Sequence, residues 1–125
     1  MDDQLRPNFR RREFACKGAS CCGHSAPVDD RLLDGLQALR EKAGFPIRIN
    51  SGFRCNNHNA DVGGSPNSQH RLGKAADIRC NGMTPKELYE LAITIPEFEN
   101  GGVGLYIRKQ FVHVDVRGEK VRWTE

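Results

Sequence analysis

Two short segments, far apart in the chain, carry side chains that work together only if the fold brings them to one point. The first is Ser68-Gln-His70-Arg-Leu-Gly73-Lys-Ala-Ala-Asp77, and the second, some 36 residues further on, is Phe111-Val-His113-Val-Asp115. Together they offer two imidazoles and a carboxylate, the donor set of a catalytic zinc site. In such a site three protein ligands hold the ion and a fourth position is left for water. A fold that uses both segments must make a loop and a strand converge.

The spacing within each segment says how. His70 and Asp77 are not at the i, i+4 spacing of a helical zinc motif, so the chain should reverse between them, and Gly73 is the residue that permits it. A loop carrying His70 would then lead into a short strand, Ala75-Ala76-Asp77-Ile78, whose small alanines let other backbone approach closely. Phe111 to Val116 alternates polar and β-branched residues with the period of a half-buried strand. His113 and Asp115 therefore share one face and Val112, Val114 and Val116 the other. Residues two apart on a strand are roughly 7 Å apart by rise, so with His113 on a metal Asp115 would reach the metal's water or stand behind the ligand.

These residues also carry a resemblance. The pattern S-x-H-x-x-G-x-A-x-D, preceded by Ser51-Gly-Phe-Arg54 and followed by Gly102-Val-Gly-Leu-Tyr106 and Phe111-Val-His-Val-Asp115, resembles the D-Ala-D-Ala metallopeptidase family. That family is grouped with the lysostaphin-type endopeptidases and the hedgehog signalling domain. The likeness runs from about Phe9 to Trp123. It implies a zinc D,D-carboxypeptidase or endopeptidase that cuts the stem peptides or cross-links of bacterial peptidoglycan, as many phage endolysins do. It implies His70, Asp77 and His113 as zinc ligands and Ser68 as a residue that orients substrate. Arg54 would hold the substrate carbonyl or carboxylate and stabilise developing negative charge, a task suited to a guanidinium fork.

One position departs from the pattern. Several relatives carry Glu or Asp three residues before the last histidine ligand, and here that residue is Gln110, which cannot accept the proton of a water. Asp115 is the nearest competent carboxylate and is expected to be the general base, with Glu97, Glu99 and Asp61 next. A branch of the family shares the H-x-D ending. Against the peptidase stands a catalytically degenerate zinc-containing binding or structural module, favoured by Gln110 and opposed by Arg54, Ser68 and Asp115. Tyr106, on an expected strand near the site, reads as core or as a substrate-binding oxyanion donor, and Trp123 as a lid over the hairpin. His24 and His58 read as surface residues.

At 125 residues the chain is expected to be one domain, residues 1–28 forming an irregular N-terminal arm. A net charge of +3 favours anionic partners such as peptidoglycan peptides. Arg10, Arg11 and Arg12 lack the aromatic interleaving of a nucleic-acid surface, so no nucleic acid is expected, and the chain is expected to be a monomer. No stretch approaches 18 apolar residues, which argues against membrane insertion, and the first residues lack an apolar signal-peptide core. Synthesis in the cytoplasm without a signal peptide, with action on the cell wall after release, is the expectation. Five cysteines are an odd count. Cys16, Cys21, Cys22 and His24 read as a second metal site, as buried thiols or as one disulfide, and Cys55 with Cys80 as a candidate bridge.

The periodicity predicts a helix from Asp29 to Ala43, a strand from Pro46 to Ser51 and a short helix and loop over 55–67. A second helix is predicted from the capping box Thr84-Pro-Lys-Glu87 to about Ile95. Val103–Leu105 should pair with Val112–Val116 as a hairpin, with Val121–Trp123 as an edge strand. The sum is an α+β domain, a small, mainly antiparallel sheet with helices packed on one side and the metal cleft on the other, hedgehog/D,D-peptidase-like.

Overall fold

The structure is a computed structural model that describes residues 4–15, 28–52 and 69–125. Arg54, Ser68, His24, His58, Asp61, Cys16, Cys21, Cys22 and Cys55, with the helix and loop expected over 55–67, lie outside the described residues.

The apolar spacing of Leu32, Leu33, Leu36 and Leu39 gives the first helix, α1 (Asp30–Ala43). Asp29 caps it, its carboxylate accepting from the Arg31 and Leu32 N–H groups, and Gly44 ends it in the left-handed conformation at φ 73°. All four leucines are buried, each stabilising the fold by roughly 1.5–3 kcal/mol. The second long helix, α2 (Pro85–Ala92), opens with the reciprocal Thr84–Glu87 capping box. It stops three residues short of the predicted Ile95. Thr94 Oγ1 donates to the Leu91 carbonyl, the Ile95 N–H bonds only three residues back, to Ala92, and Pro96 then opens a further turn, α3 (Pro96–Glu99).

The N-terminal arm is more regular than expected. Strands β1 (Gln4–Arg6) and β2 (Phe9–Arg10) pair, and a 3₁₀ turn follows at Arg11–Phe14. Phe9 and Phe14 are buried in the core, so this arm closes it.

Five strands form the main sheet: β3 (Ile47–Ser51), β4 (Ala75–Cys80), β5 (Gly102–Tyr106), β6 (Phe111–Asp115) and β7 (Val121–Thr124), in the order β3-β4-β6-β5-β7. All neighbours are antiparallel except β5 and β7, which run parallel. Period-two alternation divides the sheet into two faces. Ile47, Ile49, Ala76, Ile78, Cys80, Val103, Leu105, Val112 and Val114 join the core, with α1 and α2 packed on that side. Cys80 is buried there as a free thiol and fills space as a small apolar residue, rather than bridging. The opposite face carries Asp77, His113 and Asp115.

Candidate metal centre

Register places the site. Ser51 pairs with Asp77, Asp77 with His113, His113 with Gly104 and Gly104 with Trp123, so one row crosses all five strands on the face away from the helices. His70 reaches this row from outside the sheet. It lies on a 3₁₀ turn, Gln69–Leu72, and Gly73 at φ 70° then swings the chain into β4. The Gly73 carbonyl accepts the Asp29 N–H at 2.9 Å, which ties the reversal to the start of α1.

The structure brings His70, Asp77 and His113 together, with one ligand atom from each within 4.8 Å of the others. All three are buried. Asp77 Oδ1 lies 3.2 Å from His70 Nε2 and 3.0 Å from His113 Nδ1. The outer nitrogens are committed elsewhere: His70 Nδ1 donates to the Gly52 carbonyl at 2.7 Å, and His113 Nε2 to Asp115 Oδ2 at 2.6 Å. A carbonyl or carboxylate can only accept, so both outer nitrogens carry hydrogens, and in a neutral imidazole the inner nitrogens are then bare lone pairs. Two imidazole lone pairs and a carboxylate oxygen thus point at one place. Such a cluster repels itself unless a cation fills it, and two nitrogens with one oxygen suit a divalent transition metal. The residues therefore fit the group.

In the protein without metal a proton on His113 would relieve the same repulsion. Burial opposes a charge on His113, but its hydrogen bonds to Asp115 and Asp77 outweigh this and raise its pKa above the ordinary imidazole value. Burial likewise works against ionised Asp77, yet the hydrogen bonds from His113 and His70 hold its carboxyl well below the usual range.

Asp115 is fully buried. Besides His113 it accepts the Gly102 N–H at 2.7 Å, the Arg117 N–H at 3.1 Å and a fork of Arg117 side-chain bonds at 2.7–3.1 Å. Desolvation is the largest influence on its pKa and would raise it, but these donors together pull it far down. Sequence reasoning missed Arg117 and Gly102. The H-x-D-x-R order was a signal for the first. For the second, a Cβ on Gly102 would stand 2.4 Å from Asp115 Oδ2.

Gln110, the apparent departure from pattern, does not face the metal row. It is exposed in the β5–β6 turn at φ 61°, donates to the Ile107 carbonyl, and lines a hollow on the helix side with Leu105 and Thr84. Glu97 and Glu99 sit on α3, on the helix side of the sheet.

Aromatic side chains wall the other end of the row. With no side chain at Gly104, the Trp123 indole lies across β5 and brings its ring centroid to 5.2 Å from that of His113. Its Nε1–H donates to the Tyr106 hydroxyl at 3.0 Å, and Tyr106 stacks on Phe111 at 4.3 Å. Burial raises the Tyr106 pKa, so the phenol keeps its proton at neutral pH and can donate it.

A sheet backed by helices, with two histidines and an aspartate on its open face that could hold a metal ion, fits a metallopeptidase. The chain belongs to the peptidase M15 family, whose profile matches residues 7–115. It is 30% identical over 95 residues to the peptidoglycan L,D-endopeptidase MepK of Escherichia coli K12, an alignment covering 70% of this chain and 50% of that protein. A probable MepK of Haemophilus influenzae is 30% identical over 96 residues, and the zinc D-Ala-D-Ala carboxypeptidase of Streptomyces albus G is 50% identical over 44 residues, 34% of this chain and 17% of that one. The chain spans about half the length of the MepK proteins it matches.

Proposed function

We propose that this chain is a zinc peptidase that hydrolyses peptide bonds in peptidoglycan peptides. The observation that carries the reading is the meeting of three lone pairs from His70, Asp77 and His113, with both imidazole tautomers fixed by the Gly52 carbonyl and Asp115. Zinc held there would lower the pKa of its water toward 7 and polarise a scissile carbonyl. Relatives named for peptidoglycan peptides and for zinc support the substrate and the metal.

The chain's own residues divide the remaining work. Asp115 was expected as the general base, but every direction in which it accepts is filled and it has no exposed oxygen. It acts instead as the residue that orients His113, with Arg117 and the Gly102 N–H holding it in turn. Glu97 and Glu99 are on the wrong side of the sheet to replace it as base, and Asp61 lies outside the described residues. Tyr106 stands at the end of the row with its oxygen accepting from Trp123 and its hydroxyl paired with the Glu125 side chain, and a substrate carbonyl that displaced Glu125 would receive that proton. Arg54 and Ser68 keep the roles that the family resemblance implies, substrate charge stabilisation and orientation.

Incubation of zinc-loaded protein with purified muropeptides, followed by mass spectrometry, tests this. Products of single peptide-bond cleavage that disappear with a chelator and return with zinc are expected. Tight binding of one equivalent of zinc with no cleavage of any muropeptide would instead establish the non-catalytic module.

A further inference from the structure

A second row of side chains crosses the metal face beside the first. Two residues beyond Asp77 on β4, about 7 Å along the strand, stands Arg79, and its cross-strand partner on β3 is Arg48. Ile47, Ile49, Ile78 and Cys80 all turn into the core, so the two arginines project from the metal side, and both are exposed. Arg79 Nη2 donates to the Lys109 carbonyl at 3.0 Å, which anchors one edge of its guanidinium to the β5–β6 turn. That turn also carries the exposed residues Arg108 and Lys109.

Among the described residues this end of the face holds more cations than carboxylates. Like charges directly opposed across antiparallel strands cost stability and usually attract a neighbouring carboxylate. Here neither Arg48 nor Arg79 has an ion-pair partner among the described residues. Glu13 borders a hollow of about 430 Å³ with Arg48 and Arg12, but its carboxylate accepts the Arg10 backbone N–H at 2.8 Å. Glu125 lies at the far edge, with Tyr106, Arg108 and Lys109. A paired guanidinium surface on the substrate side of a peptidase matches a carboxylate, which each fork can hold through two parallel bonds.

We infer that Arg48 and Arg79 form a carboxylate subsite, which takes a free acidic group on the peptide about one residue from the bond to be cut. The inference rests on the peptidase reading above and adds the residues that would read the charge of the substrate. It places recognition of charge on the sheet itself, one step from the metal ligands.

The test uses a muropeptide-derived tetrapeptide as the free acid and the same peptide with its side-chain carboxylates converted to amides. Binding to the zinc-loaded protein is read by calorimetry and cleavage by mass spectrometry, for the wild type, Arg48→Ala with Arg79→Ala, and Arg48→Lys with Arg79→Lys. The wild type should prefer the acid by at least 10-fold in binding, and in KM where cleavage occurs. The alanine pair should lose that preference while its zinc content and its handling of the amide stay unchanged, and the lysine pair should keep part of it. Cleavage by the wild type with the same acid preference in the alanine pair overturns the subsite and leaves the peptidase standing. An acid preference lost in the alanine pair, without cleavage by any form, keeps the subsite and overturns the hydrolytic reading. A protein that neither binds nor cuts either peptide overturns both.

Discussion

His113 Nε2 and Asp115 Oδ2 stand 2.6 Å apart, so the tautomer of the histidine that faces Asp77 is chosen by the carboxylate behind it. Replacing Asp115 with Asn tests this. The amide nitrogen would either meet His113 Nε2–H as a second donor, turning the ring to its other tautomer, or displace Arg117 and Gly102 from their bonds. Zinc affinity should fall roughly 10- to 100-fold, the usual effect of losing a supporting carboxylate. Competition with a fluorescent chelator measures it. Were zinc affinity to survive while turnover fell about 10²–10⁴-fold, the loss typical of general acid–base catalysis, Asp115 would be the proton acceptor after all.

The raised pKa of His113 makes metal binding a contest with a proton. Its favourable charged form adds stability to the metal-free protein below the ordinary imidazole pKa of about 6.5, and that stability is lost as pH rises through the higher folded value. Asp77 and Asp115 have the opposite sign. Their depressed pKa values stabilise the fold above about pH 4, and this fades as pH falls toward the folded values. Thermal unfolding of metal-free protein should therefore show a maximum between these limits. Over the pH range in which His113 is still protonated, zinc affinity should rise by up to about tenfold per pH unit, one proton leaving for each metal bound. An affinity flat with pH would mean that His113 is not a ligand.

Trp123 is the chain's single tryptophan, and its position depends on an absent side chain. A Cβ at Gly104 would stand 2.3 Å from the indole Cε2. Gly104→Ala must therefore push the ring off the row, and overpacking of this kind typically costs about 1–3 kcal/mol. Indole emission should shift to the red as the ring loses its place beside His113, and turnover should fall because Tyr106 loses the donor that orients its hydroxyl. Unchanged emission and stability would show that the ring has room to spare.

The parts of this fold with a strict period could be read from residues alone. Leu32, Leu33, Leu36 and Leu39 mark a helix face, Thr84 and Glu87 mark a helix start, and Val112, Val114, His113 and Asp115 sort themselves to opposite faces of one strand. What escaped depends on register and on backbone. The parallel pairing of β7 with β5 puts Trp123 beside Gly104, and nothing local to either residue states it. Asp115 carried the right chemistry for a base, but its burial is made by Gly102 and Arg117, which reach it from a neighbouring strand and from beyond the strand's end. Gln110 drew attention by its place in the motif. The left-handed turn there points it to the helix side, a fact of φ rather than of composition.

Arg117 and Asp115 form a pair in which one partner is wholly buried and the other retains 27% of its side-chain exposure. Removing the arginine alone leaves a buried carboxylate with fewer donors, and breaking a buried pair in this way costs about 3–5 kcal/mol. Arg117→Met should come in at the lower end of that range, because water can reach the position that the guanidinium leaves. Asp115→Asn alone should cost less, since an amide tolerates burial better than an unpaired charge. With both changes together, no uncompensated charge remains, so the double variant should be more stable than the sum of the two losses predicts. Chemical denaturation of the four metal-free proteins measures the coupling. Simple additivity would mean that Arg117 supports Asp115 no more than solvent does, and Asp115 would then be held by the Gly102 N–H and His113.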